Sequence, residues 1–385
     1  MVKKYSIGIL FSVTGSYGTV GKSMLNGAKL ACDQVNADKG FGIQLRPVEH
    51  NPGGDLSAYA PAVETMIAGG VNHIVGCYTS SSRKEVIPVF EKHDALLWYP
   101  THYEGFESSA NVIYNGAAPN HHMLPLVDYF TRNIGKRVFC VGSNYIWAWE
   151  SNRVLREELA LRQGSVVGER YLPVGETDVD CIIQSIFETN PDIVFNSLIG
   201  ESAYAFFRAF RAACTARGID QVKRYPVASC NLSEPELSSI GPLAIDGHLS
   251  SSVYFASIDT PANHDFVRKY QAAFPQEIVP SAEAEAAYSA VILLAKSLYQ
   301  AGNDDMRAVK TCAANQRLSA PQGEVVIDPS TFHAHLTPRI GRSRGDGQFD
   351  IVFDAGRPVA PDPYLINSTS TLEAPSRRPA LRIVS

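Results

Sequence analysis

Residues 73–99, HIVGCYTSSSRKEVIPVFEKHDALLWY, decide the fold of this chain. They contain an apolar run at 73–76, a helical pattern over 82–93 and a second apolar run at 95–99. Two strand-length runs joined by a helix-length segment are typical of a parallel sheet, because parallel strands need a long crossover connection. This segment therefore predicts an α/β fold.

The same alternation extends outward in both directions and predicts two lobes, each a mostly parallel sheet flanked by helices. The chain has 385 residues, which is more than one hydrophobic core usually accommodates. We expect residues 1–118 and 253–325 to form an N-terminal lobe, and residues 119–252 and 326–366 a C-terminal lobe. The chain would cross between them near 117–121, 250–256 and 325–335, and residues 367–385 would form a tail.

The overall composition argues against nucleic-acid binding and against a membrane protein. The chain is 45% hydrophobic and 19% charged, with a formal net charge of −5, as in soluble globular proteins. A nucleic-acid surface would need clustered Lys and Arg. The chain also has no apolar stretch of the roughly 18 residues that a membrane span requires. We therefore expect no direct contact with nucleic acid or membrane.

Cysteine usage and the N-terminus predict a cytoplasmic protein. The seven cysteines are scattered without a Cys-x-x-Cys pair, which indicates buried thiols in a reducing compartment. The first four residues lead directly into an apolar run of strand length, with no separate signal-peptide core before it. A periplasmic protein from which the signal had been removed would show the same N-terminus, so that alternative stays open.

Motifs of enzymes and metal sites lack support. His121-His122 and His333-x-His335 lack further ligands, so we expect no metal and no cofactor. Glu104 and Glu107 are interpreted as solvated loop carboxylates. Cys77 is the best remaining nucleophile for an amidohydrolase, and we interpret it as a buried thiol at a strand end.

Hydroxyl, amide and aromatic side chains follow several predicted strands. They occur in residues 77–82 and 99–104 of the first lobe, and in 142–150 and 228–231 of the second. In open parallel sheets, ligands bind outside the carboxyl ends of the strands. A carboxylate or phosphate ligand would call for Arg or Lys there, and these segments have hardly any basic residue. The residue types therefore favour a small neutral ligand.

Residues 76–84 (GCYTSSSRK), 97–107 (LWYPTHYEGFE) and 116–120 (GAAPN) resemble the amide and urea branch of type I periplasmic-binding-protein-like receptors. The resemblance is strongest to cytoplasmic amide sensors that regulate the expression of aliphatic amidases. Urea-binding components of ABC importers share the first-lobe motifs. The resemblance implies a type I two-lobed fold and a binding protein that is not an enzyme.

The resemblance also implies which residues contact the ligand in the cleft. Tyr78, Ser80, Tyr99 and Thr101 match the residues with which the sensors bind acetamide. The second wall departs from the family pattern, since Trp147 falls on a family Tyr and Asn231 on a family Thr. The complete predicted set is Tyr78, Ser80, Tyr99, Thr101, His102, Tyr145, Trp147 and Asn231, with His102 standing where the sensors have Pro.

A sensor of this family releases an RNA-binding antiterminator when an amide binds, and amide- or nitrile-degrading genes are then expressed. The resemblance therefore implies such a regulator as a partner, besides a small neutral amide or urea as ligand, and is compatible with a homo-oligomer. The alternative is the substrate-binding component of a urea or short-chain amide ABC transporter, and the amidohydrolase is the rival among enzymes. The absence of a signal peptide favours the sensor.

Overall fold

The computed structural model of the chain describes residues 2–276 and 279–367, so the predicted tail lies, apart from Asn367, outside the described residues. The first part of the chain forms β1 (Lys3–Leu10), α1 (Gly18–Ala37), β2 (Ile43–His50), α2 (Tyr59–Ala68), β3 (His73–Gly76), α3 (Ser80–His93), β4 (Leu96–Tyr99) and β5 (Val112–Tyr114). These strands form one parallel sheet in the order β2-β1-β3-β4-β5.

The middle of the chain repeats this alternation in a second sheet. Its elements are α4 (Pro119–Asn133), β6 (Arg137–Ser143), α5 (Ile146–Leu161), β7 (Ser165–Leu172), α6 (Asp180–Thr189), β8 (Ile193–Ser197), α7 (Gly200–Ala216), α8 (Gln221–Arg224), β9 (Val227–Ser229), α9 (Glu234–Ile240) and β10 (Leu249–Ser252). These strands pair in parallel in the order β10-β9-β8-β6-β7. The two-lobed α/β fold predicted from the sequence is confirmed.

The last part of the chain returns to both lobes. It forms α10 (Pro261–Ala273), α11 (Ala282–Ala301), α12 (Met306–Ala313), β11 (Arg317–Ala320), β12 (Gly323–Ile327), β13 (Ala334–His335), β14 (Arg339–Ser343) and β15 (Phe349–Asp354). Helix α11 packs on α1 and α12 in the first lobe, whereas β14 and β15 extend the second sheet beyond β10 in antiparallel pairing.

A small third sheet, in the order β11-β12-β13, lies on the first lobe. Val325, Ile327 and Ala334 are buried in the same core as β1 and α11, and His333 forms a parallel bridge with Tyr114 of β5. Because β12 and β13 pack in the core of the first lobe, the chain is expected to cross to the second lobe between β13 and β14, at residues 336–338, rather than within the predicted 325–335. The exact lobe boundaries stay a prediction.

Most predicted elements occur where the apolar periodicity placed them, and two observations differ from the predictions. Helix α5 begins at Ile146 rather than near residue 150, so Trp147 lies in its first turn. The cysteines are also less uniformly buried than predicted, because Cys181 is exposed and Cys312 is partly exposed, whereas the other five are buried. Cys181 lies in the first turn of α6, where Ile182 and Ile183 fill the core-facing positions.

The two lobes contact each other on the side where the parallel strands end. The backbone N–H of Glu201, at the start of α7, donates to the carbonyl of Ser16 in the loop after β1, at 3.2 Å. Gly200 has a φ of +57°, and a Cβ there would lie 1.9 Å from the Ser16 carbonyl oxygen. Only glycine allows this close approach, and the contact holds the carboxyl ends of both sheets face to face. Within the described residues, no helix is long and apolar enough to cross a membrane.

Candidate functional site

A small cavity lies between the carboxyl ends of the two sheets, and its volume is about 10 Å³. A cavity of about 10–15 Å³ holds one water-sized group, so the lobes close tightly at this point. The residues that line it are Tyr78, Ser80, Thr101, His102, Tyr145, Trp147, Ile199 and Asn231. Seven of the eight site residues predicted from the sequence are therefore brought together, and the eighth, Tyr99, lies behind the first-lobe wall.

The first-lobe wall begins at the turn between β3 and α3. Cys77 has a φ of +64°, a left-handed conformation that is costly for a residue with a side chain. This turn aims the Cys77 carbonyl at the Thr101 hydroxyl, which donates to it at 3.0 Å. Thr79 then caps α3 by accepting from the backbone N–H of Ser82 at 3.2 Å, so Ser80 occupies the first turn of the helix.

A buried ion pair supports this wall. Arg83 donates to Glu104 at 2.7 Å and to Glu107 at 2.7 Å, and its side chain has no exposed surface. Glu104 also accepts from the Ser80 hydroxyl at 2.5 Å. The prediction that Glu104 is solvated was wrong, because α3 places Arg83 under the loop that carries Glu104 and withdraws both from water. Glu107 is partly buried in the same network.

Tyr99 belongs to this support and does not line the cavity. Its hydroxyl accepts from Arg83 at 3.2 Å and donates to the Tyr78 carbonyl at 3.1 Å. The Arg83 guanidinium also lies 4.9 Å from the centre of the Tyr99 ring. Tyr99 therefore fixes the backbone of Tyr78 from behind.

Cys77 has none of the features of a nucleophile. Its side chain is fully buried, and this burial raises the pKa of the thiol to about 12, so the thiol stays protonated at neutral pH. Within the described residues, no histidine or carboxylate makes a hydrogen bond to it. Its carbonyl and N–H serve instead to shape the turn.

The second-lobe wall carries a buried donor that makes no hydrogen bond to the described residues. The indole N–H of Trp147, whose side chain is 3% exposed, has no partner among them, and the Tyr145 side chain lines the cavity beside it. The Asn231 amide donates to the Leu198 carbonyl at 2.8 Å, which leaves its oxygen available as an acceptor. On the first lobe, the Tyr78 side chain also lines the cavity. Burial raises the pKa of Tyr78 and Tyr145, so both phenols stay protonated.

A second compartment, of about 20 Å³, adjoins the first and shares His102 with it. Among its lining residues, both nitrogens of His122, both ends of the Asn115 amide and the Oε2 of Glu283 are buried without a hydrogen-bond partner in the described residues. Burial lowers the pKa of His102 to about 4 and that of His122 well below its usual value, so both rings are neutral at pH 7. The 3.8 Å contact between His102 Nδ1 and Glu283 is therefore not an ion pair.

Carboxylates from both lobes meet beside the cavity. Glu234 and Glu236 at the start of α9 are almost fully buried, as is Glu283 at the start of α11. Burial and the proximity of Glu283 raise the pKa of Glu234 and of Glu236 to about 8. Burial likewise raises the pKa of Glu283.

Apart from His102, the residues of the second compartment were not predicted from the sequence. His121 and His122 were considered only as metal ligands, and the structure groups no three metal-ligating side chains within the described residues. Asn115 precedes the motif at 116–120 and offered a weak signal. Glu283 lies more than 150 residues further along the chain, at the start of a helix, and had no local signal.

Two larger grooves lie elsewhere, with volumes of about 420 and 1160 Å³. The smaller of them runs between α1 and α9, and the larger lies on the outer face of α1 and α11. Neither is lined by any of the eight predicted site residues. We therefore assign the candidate site to the two compartments around His102.

Comparison with known proteins identifies the fold of this arrangement. The family model described as a periplasmic binding protein domain matches residues 5–370. A solute-binding protein of an ABC transporter from Rhodopseudomonas palustris HaA2, solved with p-hydroxybenzoic acid, is 20% identical with a TM-score of 0.80, over 91% of this chain and 95% of that one. A branched-chain amino acid binding protein from Streptococcus pneumoniae, solved with isoleucine, is 18% identical with a TM-score of 0.78, over 91% and 99% of the two chains.

Among curated proteins, a limonene hydroxylase from Geobacillus stearothermophilus is similar to part of the chain. The two are 30% identical over 122 residues, which is 32% of this chain and 22% of that protein. The chain thus spans less than a quarter of the length of this curated relative.

Proposed function

The chain belongs to the periplasmic binding protein domain family, and on that premise we propose that it is a receptor that closes its lobes around one small uncharged amide or urea. The observation that carries the proposal is the composition of the cavity wall. Trp147, Tyr78 and Tyr145 offer N–H and O–H donors, and the Asn231 amide offers an acceptor. One carbonyl and one NH2 group on a ligand would pair with these donors and acceptors.

The charge and size of the site favour a neutral ligand over the carboxylates in the structures of similar fold. None of the described residues that line either compartment is a Lys or Arg. Arg83 is close, but its donors are taken by Glu104, Glu107 and Tyr99. A carboxylate enclosed here would meet no free cation, and its desolvation would be uncompensated. A cavity of about 10 Å³ holds only a water-sized group, so any ligand requires the lobes to part, and an acetamide-sized molecule requires a smaller opening than an aromatic ring.

Binding without chemistry is the role that the site supports. Hydrolysis of an amide needs a nucleophile with a base beside it. The Cys77 thiol is buried and protonated, and its carbonyl and N–H are used in the turn. We therefore propose that the protein releases its ligand unchanged.

What the closed receptor does next has two candidate answers. The structures of similar fold are substrate-binding proteins of ABC transporters, which favours delivery of urea or a short amide to a membrane permease. The motifs at 76–84 and 97–107 resemble those of amide sensors, which favours release of an RNA-binding antiterminator-type regulator. Neighbouring genes for a permease and an ATPase would support the first role, and genes for an amidase and an antiterminator would support the second.

Calorimetric titration with acetamide, urea and benzoate tests the ligand class. We expect heat and a thermal shift with acetamide or urea and none with benzoate. Thr101→Val removes a hydroxyl that lines the cavity, and we expect it to weaken binding by about 1–3 kcal/mol.

The matched control is Thr131→Val, because the Thr131 hydroxyl bonds only to carbonyls of its own helix, α4. It should leave affinity unchanged. Tight binding of benzoate, or an absence of heat with both amide and urea, would contradict the proposal. Equal affinities of wild type and Thr101→Val would remove Thr101 from the site.

A further inference from the structure

The second compartment contains polar groups that the proposed function does not yet use. His122 is 1% exposed, Asn115 3% and Glu283 4%, and each has at least one buried polar atom without a protein partner in the described chain. The three come from separate segments, namely the loop after β5, α4 and the start of α11. They converge on a cavity that His102 joins to the first compartment.

Such a group of side chains is costly unless something pairs with it. A buried donor or acceptor without a partner costs about 1–3 kcal/mol, and native proteins rarely leave several together. The rings of His122 and Trp147 stack with their centroids 5.6 Å apart, which holds His122 in place, and His102 packs edge-on against both rings between the two compartments. The compartment is therefore a preformed polar pocket rather than a packing defect.

The side chains of this compartment define the group that fits it. The Glu283 oxygen, the Asn115 carbonyl oxygen and one nitrogen of neutral His122 accept hydrogen bonds, and the Asn115 NH2 group and the other His122 nitrogen donate them. An anion would meet no Lys or Arg among the residues that line the compartment, and a methyl group would leave all three side chains unpaired. A nitrogen carrying N–H groups satisfies the acceptors, and a volume of about 20 Å³ has room for one such group.

We propose that the second compartment receives a nitrogen-bearing end of the ligand, so that the receptor prefers ureas, which carry N–H groups on both sides of the carbonyl, to simple alkyl amides. This inference rests on the proposed function and adds the substrate class. The first compartment holds the carbonyl and one NH2 group, and the ring of His102 moves aside so that the second NH2 group reaches Asn115 and Glu283. In acetamide a methyl group takes that place, and the polar atoms of the second compartment stay unpaired.

The test compares urea with acetamide on three variants by calorimetry. His122→Phe keeps a ring against Trp147 and removes both nitrogens, and Asn115→Leu keeps the approximate size of Asn115 and removes its amide. We expect wild type to bind urea at least about tenfold more tightly than acetamide, and each variant to lose about tenfold of its urea affinity while its acetamide affinity changes less than about twofold. Thr101→Val, in the first compartment, should weaken both ligands alike.

A structure of the urea complex completes the test. We expect a urea nitrogen within hydrogen-bonding distance of Asn115 or Glu283. Tighter binding of acetamide than urea by wild type, equal losses for both ligands in the two variants, or a second compartment that holds only water in the complex would overturn the inference and leave the proposed function standing. If wild type binds neither ligand, both fail together. If one of these two variants loses affinity for both ligands and also has a lowered melting temperature, the other variant decides the test, because the backbones of Asn115 and His122 make different contacts.

Discussion

The two walls of the cleft differ in how their polar groups are used. On the first lobe, the hydroxyls of Ser80 and Thr101 already donate to Glu104 and to the Cys77 carbonyl. On the second lobe, the buried Trp147 indole N–H has no partner in the described part of the protein, and the Tyr145 side chain lines the cavity beside it. The first wall is thus fixed by the protein itself, whereas the second offers hydrogen bonds that a ligand would complete.

This difference indicates that the two lobes contribute to ligand binding in different ways. A wall whose side chains are already bonded loses little conformational freedom when a ligand arrives, so the first lobe serves as the preorganised platform. The second lobe gains partners only when the lobes close on a ligand, so its donors provide the differential affinity that favours the closed state. Each of the following predictions perturbs one side of this comparison.

The largest effect is expected from removing the support of the first wall. In Arg83→Met, the Glu104 carboxylate stays buried, keeps the Ser80 hydroxyl as its hydrogen-bond donor and has only the half-exposed Lys84, 3.9 Å away, as a cation. Because an uncompensated buried charge is strongly unfavourable, we expect a loss of about 3–5 kcal/mol in the free energy of unfolding. Urea is avoided as denaturant because it is a candidate ligand, and the midpoint in guanidinium chloride measures the change.

Lys84→Met is the matched control for Arg83→Met. Lys84 is adjacent in sequence and also contacts Glu107, at 2.6 Å, but its side chain is 42% exposed. Exposed pairs contribute about 0–1 kcal/mol, so this variant should be nearly as stable as wild type. Equal losses in both variants would mean that burial of the ion pair is not what fixes the first wall.

The two walls also differ in how far sequence predicts them. Tyr78, Ser80 and Thr101 follow apolar runs directly, so strand ends place them at the cleft by local pattern alone. The pairing of Arg83 with Glu104 joins residues 21 positions apart and depends on how α3 packs under a loop, which no periodicity encodes. The second compartment is harder still to predict from the sequence, because Asn115, His122 and Glu283 meet only after the chain has crossed between the lobes more than once.

A smaller effect is expected from obstructing closure without touching the ligand. In Gly200→Ala, the new Cβ would lie 1.9 Å from the Ser16 carbonyl oxygen of the other lobe, in a backbone conformation with φ of +57°. The closed state becomes strained, so its population falls and the apparent affinity falls with it. We expect affinity for the preferred ligand to drop at least about tenfold, and solution scattering to show a larger radius of gyration.

Gly218→Ala is the control that separates backbone strain at a positive φ from obstruction of the contact between the lobes. Gly218 has a similar φ of +68°, but a Cβ there meets nothing within 4 Å. Both variants carry the conformational penalty, and only Gly200→Ala blocks the contact between lobes. If the two variants bind equally, closure through Ser16 makes no contribution to affinity.

The smallest effect concerns the carboxylates on the second-lobe side. Glu236 faces Glu283 across the cleft and lies beside Ser233, Tyr204 and Tyr78, with no cation among them. Its pKa is raised from 4.5 to about 8 in the folded state, so its contribution to stability is fully present below pH 4.5 and is lost as pH rises to about 8. Between pH 6 and 7, the unfolded chain releases this proton and the folded chain keeps it, which lowers the free energy of unfolding by about 1 kcal/mol per pH unit.

Glu236→Gln removes this ionisation, so the stability of wild type relative to the variant should fall by about that amount between pH 6 and 7. Taking the difference cancels the contribution of the histidines, which are the same in both proteins and act in the opposite direction. His102, for example, has a pKa lowered to about 4, so its stabilisation is present above its unfolded pKa of about 6.5 and is lost as pH falls. Parallel pH profiles for wild type and variant would show that Glu236 is ionised in the closed protein. The second-lobe side would then carry charge as the first does, and the contrast between a charged, self-bonded first wall and a neutral second wall would be wrong.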